Sequence, residues 1–195
     1  LSRRRGGPFI AINTGAIAKD LIESELFGHE KGSFTGASVQ KKGKFEAASD
    51  GVLFLDEIST MSENTQVSLL RVLETKKFQR IGGTKDIKTD ARIIAAVNED
   101  LDILIKEGKF RTDLYHRLNV FRINLPPLRE RREDIGILVN HFIDRYSREF
   151  GKQVDSITEE ALDILKLYSW PGNVRELENI IMRMCITSGE NVLSE

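Results

Sequence analysis

A short apolar segment at residues 52–55 ends in two adjacent acidic residues, Asp56 and Glu57. A nearly uninterrupted run of branched and aromatic side chains is typical of a parallel strand that is covered on both faces. Comparable segments lie at residues 9–12, 93–97 and 120–123. Helical patterns separate these segments, and strands that alternate with helices predict an α/β fold, with a parallel sheet and flanking helices.

One of the helical patterns follows the acidic pair. Ser62 is a suitable N-cap for a helix that extends to about Lys76. Val67, Leu70 and Leu73 share one face of this helix, which we predict to be its buried face.

No strand pattern follows the Pro126-Pro127 segment, and the remaining sequence is helical in character. Thr158 is a good N-cap for one helix, and we predict that Asn173 caps the last helix, with Glu176 three residues later. The sequence therefore predicts two regions, an α/β domain at residues 1–127 and a small helical domain at residues 128–195.

The charge of the chain is nearly balanced, with 29 basic and 30 acidic residues and a formal net charge of −1. A surface dedicated to nucleic acid is usually basic, so this balance argues against direct DNA binding. Cys185 is the one cysteine, which excludes an intrachain disulfide and fits a reducing cytoplasm. No apolar run reaches membrane-spanning length and no signal peptide is evident, so we predict a cytoplasmic location without a membrane partner.

The acidic residues after the segment at 52–55 are candidates for nucleotide chemistry. Ligands of open α/β sheets lie beyond the carboxyl ends of the strands, where Asp56 could hold Mg²⁺ and Glu57 could activate a water as a general base. Asn13 and Asn98 follow two of the other apolar segments, so both amides are expected at the same edge. The alternative is an acidic turn and two turn-forming asparagines without a function.

Three arginines are candidates for stabilising negative charge on a phosphoryl group. Arg111 and Arg117 belong to a short helical pattern at residues 110–118, and Arg111 lies near its start, where a cation opposes the helix dipole. An arginine supplied by a neighbouring subunit can stabilise a phosphoryl transition state. Arg175 lies in the first turn of the last predicted helix, off its apolar face. The alternative for each is a solvated surface arginine.

A glycine-rich segment at residues 28–37 carries one aromatic side chain, Phe34. Neither this segment nor any other in the chain has the G-x-x-x-x-G-K-[ST] pattern of a phosphate-binding loop. Glycine gives the backbone mobility, so Phe34 is suited to gripping a protein partner, unless it is simply buried under the loop. A second polar segment, at residues 80–86, is predicted to be the tip of a hairpin.

Five ordered segments resemble the bacterial enhancer-binding proteins, the AAA+ activators of sigma-54 RNA polymerase. The segment ELFGHEKGSFTGA at residues 25–37 is similar to their signature loop, and residues 53–58 resemble their Walker B strand. Further similarities lie at residues 110–118, 125–132 and 170–177. The resemblance covers essentially the whole chain, and it implies an AAA+ P-loop-type sheet followed by a small helical lid.

The resemblance implies a ring-shaped homo-oligomer, usually a hexamer, that hydrolyses ATP between subunits and remodels the sigma-54 holoenzyme so that promoter DNA opens. It implies that Asp56 supports Mg²⁺, that Glu57 activates water, and that Asn13 couples Glu57 to the nucleotide state. Other implied catalytic and nucleotide-binding positions are Asn98, Arg111, Arg117, Arg175, Asp50 and Gly51. The implied sigma-54 contact is Gly32, Ser33, Phe34, Thr35, Gly36 and Ala37, supported by a second loop at Gly82 and Gly83.

The chain departs from the family pattern at three places. Ser33 stands where the signature loop usually has Ala, and Val97 stands where Thr commonly precedes the sensor asparagine. The Walker A loop is absent; in the family it precedes the position of Leu1, on a strand that would separate residues 120–125 from the other strands. We therefore expect a fragment of a longer protein that does not hydrolyse ATP alone, and whose DNA-binding helix-turn-helix would follow Glu195.

Three functions remain compatible with these patterns. The first is the ATPase core of a sigma-54 activator. The second is a non-hydrolysing module that keeps the sigma-54 contact, and the third is another AAA+ remodeller, against which the loop at residues 32–37 argues. A phosphate-binding loop upstream of Leu1 would favour the first function over the second.

Overall fold

A computed structural model describes residues 2–188 and 191–194, and the chain divides into two compact units, Leu1–Arg122 and Ile123–Glu195. The strands are β1 Phe9–Asn13, β2 Gly28–His29, β3 Lys41–Lys42, β4 Val52–Asp56, β5 Lys77–Phe78, β6 Ile87–Lys88, β7 Arg92–Ala95, β8 Ser156–Ile157 and β9 Val192–Leu193. The α-helices are α1 Lys19–Phe27, α2 Lys44–Ala47, α3 Glu63–Thr75, α4 Leu101–Lys106, α5 Thr112–Leu118, α6 Glu133–Phe150, α7 Glu159–Leu167 and α8 Asn173–Thr187.

The first unit is built on three parallel strands in the order β1-β4-β7. Asn13 at the end of β1 is paired with Asp56 at the end of β4, and Leu55 is paired with Ala95 of β7. The predicted fold class, a parallel sheet with flanking helices and a separate helical region, is confirmed. Because the three strands run in the same direction, their carboxyl ends bring residues to one edge of the sheet.

One face of this sheet packs against helices of the first unit. Leu53 and Leu55 of β4 are fully buried, in a cluster with Ile22 and Leu26 of α1 and Leu69 of α3. Burying a side chain of this size contributes about 1.5–3 kcal/mol to stability. The packing fixes β4, and it therefore fixes the backbone from which the acidic pair projects.

The opposite face of the sheet is open to solvent in the part of the chain that the structure describes. Phe9 is 63% exposed and Ile94 is 41% exposed, and the rings of Phe9 and Phe54 stack with 6.2 Å between their centroids. The prediction that these strands are covered on both faces is therefore wrong for the described residues. Successive side chains alternate between the faces, so Leu53 and Leu55 are buried while Phe54 lies on the open face.

The strand predicted at residues 120–123 does not form. Val120 and Phe121 are 85% and 83% exposed, and residues 122–127 have no regular backbone structure. A strand needs a neighbour that pairs with its N–H and C=O groups. No strand within residues 2–188 and 191–194 pairs with this segment, so its apolar sequence alone does not produce a strand.

Helix α3 begins after Ser62 as predicted, and the Ser62 hydroxyl accepts a hydrogen bond from the helix backbone at 3.3 Å. Its buried face differs from the predicted one, because Val67 is 44% exposed. The polar residue Gln66 is buried instead, at 1% exposure. The buried apolar side chains of this helix are Leu69, Val72 and Leu73.

The second unit contains α6, α7 and α8, with a short parallel pair formed by β8 and β9. Trp170 lies in the core of this unit and is 1% exposed. Its indole Nε1 donates a hydrogen bond to the Leu165 carbonyl at 2.7 Å. None of the helices in the described ranges combines the length and the apolar character that a membrane crossing requires.

The helix starts of the second unit agree with one prediction and correct another. Thr158 caps α7, and its hydroxyl accepts from the Ala161 N–H at 3.2 Å. Asn173 does not cap α8, because its side-chain oxygen accepts from the backbone N–H of Leu128 at 2.8 Å. The N-cap of α8 is Gly172, which has no side chain with which to cap the helix.

Candidate functional site

The carboxyl edge of the sheet brings Asn13 and Asp56 together. Asn13 Nδ2 donates to Asp56 Oδ2 at 3.4 Å, and Asn13 Oδ1 accepts from the backbone N–H groups of Gly15 and Ala16 at 2.8 and 3.1 Å. The hydrogen bonds of Asn13 thus go to Asp56 and to the following turn, rather than to Glu57. The paired register of β1 and β4 is the reason for this contact, since it places the two residues side by side.

Glu57 lies in a tight turn at the same edge. Its backbone is left-handed, with φ 55° and ψ 42°, and its N–H donates to Asp56 Oδ1 at 3.0 Å. The Glu57 carboxylate lies directly over Gly15, where any side chain would overlap with it. This turn keeps both acidic side chains at the carboxyl edge of the sheet, where Asp56 contacts Asn13 and Glu57 lies over Gly15.

Thr14 holds the turn at Glu57 in place, and sequence reasoning did not identify it. This residue is fully buried, and its hydroxyl lies 3.0 Å from the Asp56 carbonyl, 2.8 Å from the Glu57 carbonyl and 2.9 Å from the Thr60 hydroxyl. A hydroxyl directly after Asn13, at the end of a buried strand, was the only signal for it in the sequence.

Asn98 follows β7 at this edge. The chain leaves the sheet after Ala96, whose carbonyl accepts from the Ile58 N–H at 3.2 Å, and Asn98 is exposed two residues later. Three neighbouring strands therefore deliver Asn13, Asp56 and Asn98 toward one side of the sheet, as the sequence predicts.

Asp50 and Gly51 lie elsewhere. They precede β4, whereas Asp56 ends it, so a strand of five residues separates the two ends. Five residues of extended strand span about 16 Å. Asp50 has a left-handed backbone with φ 60°, and its N–H donates to Asp90 Oδ1 at 2.8 Å. The structure does not bring these two residues to the edge that carries Asp56 and Glu57.

Arg111 lies at the N-cap of α5, outside the helix, with its guanidinium held by acidic neighbours. Its Nε and Nη2 donate to the two carboxylate oxygens of Asp113 at 3.0 and 2.7 Å, and Glu63 lies 3.7 Å away. The hydrogen bonds from Arg111 lower the pKa of the Asp113 carboxyl. Arg117 is exposed, and its guanidinium donates to the Leu73 carbonyl at 3.4 Å. The two arginines therefore have separate partners and do not meet at one anion.

A buried amide holds the segment that carries Arg111. Gln66 Nε2 donates to the carbonyls of Met61 and Lys109, each at 3.0 Å, and Gln66 Oε1 accepts from the Arg111 N–H at 2.9 Å. These three hydrogen bonds explain why a polar side chain occupies the buried face of α3. Sequence periodicity gave no indication of this role.

Arg175 is exposed in the first turn of α8, in the second unit. This placement agrees with its predicted position on the helix.

The glycine-rich segment forms a loop between β2 and β3, and residues 30–40 are named the 30–40 loop. The strands pair antiparallel, and inside the loop the Gly32 N–H donates to the Ala37 carbonyl at 2.8 Å. Phe34 is 38% exposed, while Ala37 is 4% exposed. Thr35 and Gly36 are exposed at the loop tip. Of the six predicted contact residues, four are thus exposed, Ser33 is half-buried, and Ala37 anchors the loop.

The predicted hairpin at residues 80–86 lies beside the 30–40 loop. Strands β5 and β6 pair antiparallel, and the Glu30 N–H donates to the Ile81 carbonyl at 3.0 Å. Gly82 has a left-handed backbone with φ 74°, and a β-carbon there would stand 2.6 Å from the Ser33 β-carbon. Glycine at this position therefore allows the two loops to pack closely.

Arg80 joins the two loops electrostatically, a contact that sequence reasoning missed. Its Nε and Nη2 donate to the Glu46 carboxylate at 2.8 and 2.7 Å, and its Nη1 donates to Glu30 Oε1 at 3.0 Å. Hydrogen bonds from Arg80 lower the pKa of the Glu46 carboxyl. The pKa of the Glu30 carboxyl is also lowered, by hydrogen bonds from Gln40 and then from Arg80.

Two protein families match the chain, one for each unit. The sigma-54 interaction domain family matches residues 1–124, and the AAA+ ATPase lid domain family matches residues 129–195. The regulatory protein AtoC of Escherichia coli (strain K12) is 52% identical over 195 residues, which are 100% of this chain and 42% of AtoC. The transcriptional regulator NtrC of Azospirillum brasilense is 53% identical over 191 residues, which are 98% of this chain and 40% of NtrC.

Solved structures agree with this assignment. A crystal structure of NtrX from Brucella abortus aligns with a TM-score of 0.90 and 39% identity, over 98% of this chain and 44% of NtrX. The NtrX complex with ATP aligns with a TM-score of 0.88 and 40% identity, over 99% of this chain and 42% of NtrX. The chain thus spans less than half the length of the relatives it matches. It belongs to the family of sigma-54 interaction domains, the central AAA+ domains of enhancer-binding proteins.

Proposed function

We propose that this chain provides the ATPase core of a sigma-54-dependent transcriptional activator. In this function, ATP hydrolysis drives remodelling of the sigma-54 RNA polymerase holoenzyme and the opening of promoter DNA. The observation that carries the proposal is the carboxyl edge of the sheet, where Asn13 contacts Asp56 and Glu57 follows in a fixed turn. The same unit displays the 30–40 loop at its surface.

The residues at this edge fit ATP with Mg²⁺ as the cofactor. Mg²⁺ is usually held by one or two carboxylates together with substrate phosphates and water, rather than by an all-protein cage. Asp56 would supply such a carboxylate, and the described residues contain no group of three or more His, Cys, Asp or Glu side chains that could hold an ion alone. When bound, the ion would neutralise phosphate charge. Crystal structures of NtrX in complex with ADP and with ATP support nucleotide binding by this fold.

The remaining roles are those that the family resemblance implies for these positions. Glu57 would accept a proton from the attacking water, and Asn13 and Asn98 would orient the water and the terminal phosphate. Arg111 and Arg117 would stabilise charge on ATP bound by the neighbouring subunit of a homo-oligomeric ring, the hexamer that the resemblance implies. A surface ion pair such as Arg111 with Asp113 contributes little free energy, so the arginine can leave the carboxylate and bind a phosphate instead. Arg175 would contact the nucleotide from the lid.

The 30–40 loop would carry the contact with sigma-54 through Phe34 and Thr35 at its tip. Its support is the family match over residues 1–124 together with the exposure of these two side chains. The balanced charge argues against direct DNA binding by this chain, and the resemblance implies that a separate helix-turn-helix domain would bind DNA.

The test of the ATPase proposal is Glu57→Gln in a full-length protein that contains this chain and a phosphate-binding loop, since residues 1–195 contain no G-x-x-x-x-G-K-[ST] pattern. Removing a general base is expected to lower the turnover of ATP roughly 10²–10⁴-fold. The Kd for ATP is expected to stay unchanged, because glutamine preserves the shape of the side chain. The matched control is Glu74→Gln, at an exposed position of α3. Unchanged turnover in Glu57→Gln would contradict the role of Glu57.

A sigma-54-binding module without turnover is the second candidate function. The observation that favours it is the exposed tip of the 30–40 loop, since a contact made by Phe34 and Thr35 does not itself require turnover. It requires that the full-length protein binds sigma-54 but shows no ATP hydrolysis, so that Glu57→Gln changes neither measurement. The turnover of the unsubstituted full-length protein therefore separates the two functions.

A further inference from the structure

The 30–40 loop is tied at its base by one buried side chain, His29 of β2. His29 is 8% exposed; its Nδ1 lies 2.7 Å from the Ser24 hydroxyl and its Nε2 lies 3.1 Å from the Val39 carbonyl. A carbonyl oxygen only accepts, so Nε2 carries the hydrogen of that bond, and Nδ1 shares the second hydrogen bond with the Ser24 hydroxyl. His29 thereby joins α1, which carries Ser24, to the returning end of the loop at Val39.

The same imidazole supports the aromatic residue of the loop. The rings of His29 and Phe34 meet edge to face, with 5.1 Å between centroids and an interplanar angle of 72°. Edge-to-face packing is a favoured arrangement of aromatic rings. One side chain therefore fixes both the path of the loop and the direction of Phe34.

Ser33 opposes this arrangement. Its hydroxyl is buried and has no hydrogen-bond partner among residues 2–188 and 191–194, and its β-carbon packs toward Gly82 of the neighbouring hairpin. A buried hydroxyl without a partner has lost its bonds to water, and it regains them when the loop moves outward. The conformation in which Phe34 lies on His29 is thus held by His29 and weakened by Ser33.

We propose that His29 is the positioning residue of the sigma-54 contact, setting the orientation of Phe34, and that the Ser33 hydroxyl lowers the stability of this docked state. The proposal rests on the proposed contact of the 30–40 loop with sigma-54. Two substitutions with opposite effects follow from it. Loss of the His29 ring should release the loop, and loss of the Ser33 hydroxyl should hold it more firmly.

The test is hydrogen exchange of the Gly32 and Ala37 amides in the full-length protein without nucleotide, since both amides donate inside the docked loop. His29→Ala is expected to speed their exchange about tenfold, the effect of losing roughly one buried hydrogen bond and a ring contact. His29→Gln keeps a donor near the position of Nε2, so it should restore part of the protection. Ser33→Ala is expected to slow exchange about tenfold, because it removes an unsatisfied group.

The matched control is His141→Ala, which removes an exposed histidine from α6 in the second unit and should leave loop exchange unchanged. Unchanged exchange in His29→Ala, or faster exchange in Ser33→Ala, would overturn the proposal. If His29→Ala does not fold, His29→Gln and Ser33→Ala still decide the question, because they must shift exchange in opposite directions.

ATP turnover and promoter opening, measured on the same variants, separate this proposal from the proposed function. A positioning role predicts that His29→Ala keeps turnover while promoter opening falls, and that His29→Gln partly rescues the opening. If turnover falls together with opening, His29 has a general structural role and the proposal fails. If exchange shifts as expected but opening survives in both His29→Ala and Thr35→Ala, the sigma-54 assignment of the loop fails, and the docking of Phe34 by His29 stands.

Discussion

At the scale of single residues, the geometry of the acidic pair depends on an uncharged hydroxyl. Thr14 is fully buried and lies within 3.0 Å of the carbonyls of both Asp56 and Glu57. The hydroxyl has one hydrogen to donate, which the two carbonyls and the Thr60 hydroxyl share. The left-handed turn at Glu57 is unusual for a side chain of this size, and such a turn persists only where its surroundings hold it.

We expect Thr14→Val to reduce the free energy of unfolding by about 1–3 kcal/mol, because it replaces a buried hydroxyl that hydrogen-bonds at the turn with a methyl group that cannot. Urea unfolding followed by circular dichroism measures this change. Thr187→Val, at an exposed position near the end of α8, is the control and should have little effect. Equal stability of Thr14→Val and the unsubstituted protein would show that the hydroxyl does not hold the turn.

The sequence identified the polar residues Asn13, Asp56 and Asn98 of the edge more readily than the residues that hold them in place. Asn13, Asp56 and Asn98 were predictable because the ends of parallel strands meet at one edge. Thr14 and Gly15 were not, because their roles arise from contacts between β1 and β4. The Thr14 hydroxyl contacts two carbonyls, and the absence of a side chain at Gly15 leaves room for the Glu57 carboxylate. Such contacts depend on register, which one segment of sequence does not specify.

At the scale of secondary structure elements, α3 positions the segment that carries Arg111. The buried amide of Gln66 makes three hydrogen bonds, one of them from the Arg111 N–H. Apolar periodicity selected Val67 for the buried face, yet Val67 is 44% exposed. A pattern based on hydrophobicity assigns a buried glutamine to the surface. The predicted buried face of α3 was therefore rotated about the helix axis relative to the observed one.

Gln66→Leu is expected to lower the free energy of unfolding by about 1–3 kcal/mol, since the backbone groups that it bonds become buried without partners. Asn64→Leu, at an exposed position of the same helix, tests whether a new leucine alone has an effect. Both variants are compared by urea unfolding. A Gln66→Leu protein as stable as Asn64→Leu would contradict the proposed role of the amide.

The ion pairs that Arg80 makes with Glu30 and with Glu46 of α2 contribute to stability in a pH-dependent way. Arg80 holds the pKa of Glu46 below its ordinary value of 4.5, so the folded protein binds this proton less readily than the unfolded chain. The stabilisation is therefore complete above pH 4.5 and is lost as the pH falls through the lowered folded-state pKa. We expect Arg80→Gln to destabilise the protein at about pH 7, and to a smaller extent at about pH 3.

Urea unfolding at both pH values measures this difference. Arg129→Gln removes an exposed pair with Glu130 and serves as the control, for which little change is expected at either pH. If Arg80→Gln lost the same stability at both pH values, the ion pair with Glu46 would not be the source of the effect.

At the scale of the whole molecule, composition and periodicity predicted a parallel sheet with flanking helices and a separate helical region. They also predicted a strand at residues 120–123, which is exposed and irregular instead. The difference has a physical cause, because a strand is stabilised by its neighbour, and no described strand pairs with this segment. The prediction that the strands are covered on both faces was wrong for a related reason. Phe9 and Ile94 are exposed on the open face, because an apolar sequence does not itself supply a covering layer.

Promoter opening by sigma-54 RNA polymerase, driven by a full-length protein that carries this chain, tests the proposed function. We expect opening with ATP, and we expect Thr35→Ala at the exposed loop tip to abolish opening while it leaves ATP turnover largely intact. Thr112→Ala, an exposed threonine outside the 30–40 loop, is the control for loss of a surface hydroxyl. Promoter opening that survives in Thr35→Ala would contradict the sigma-54 contact of the 30–40 loop, and opening that needs no ATP would contradict the ATPase function.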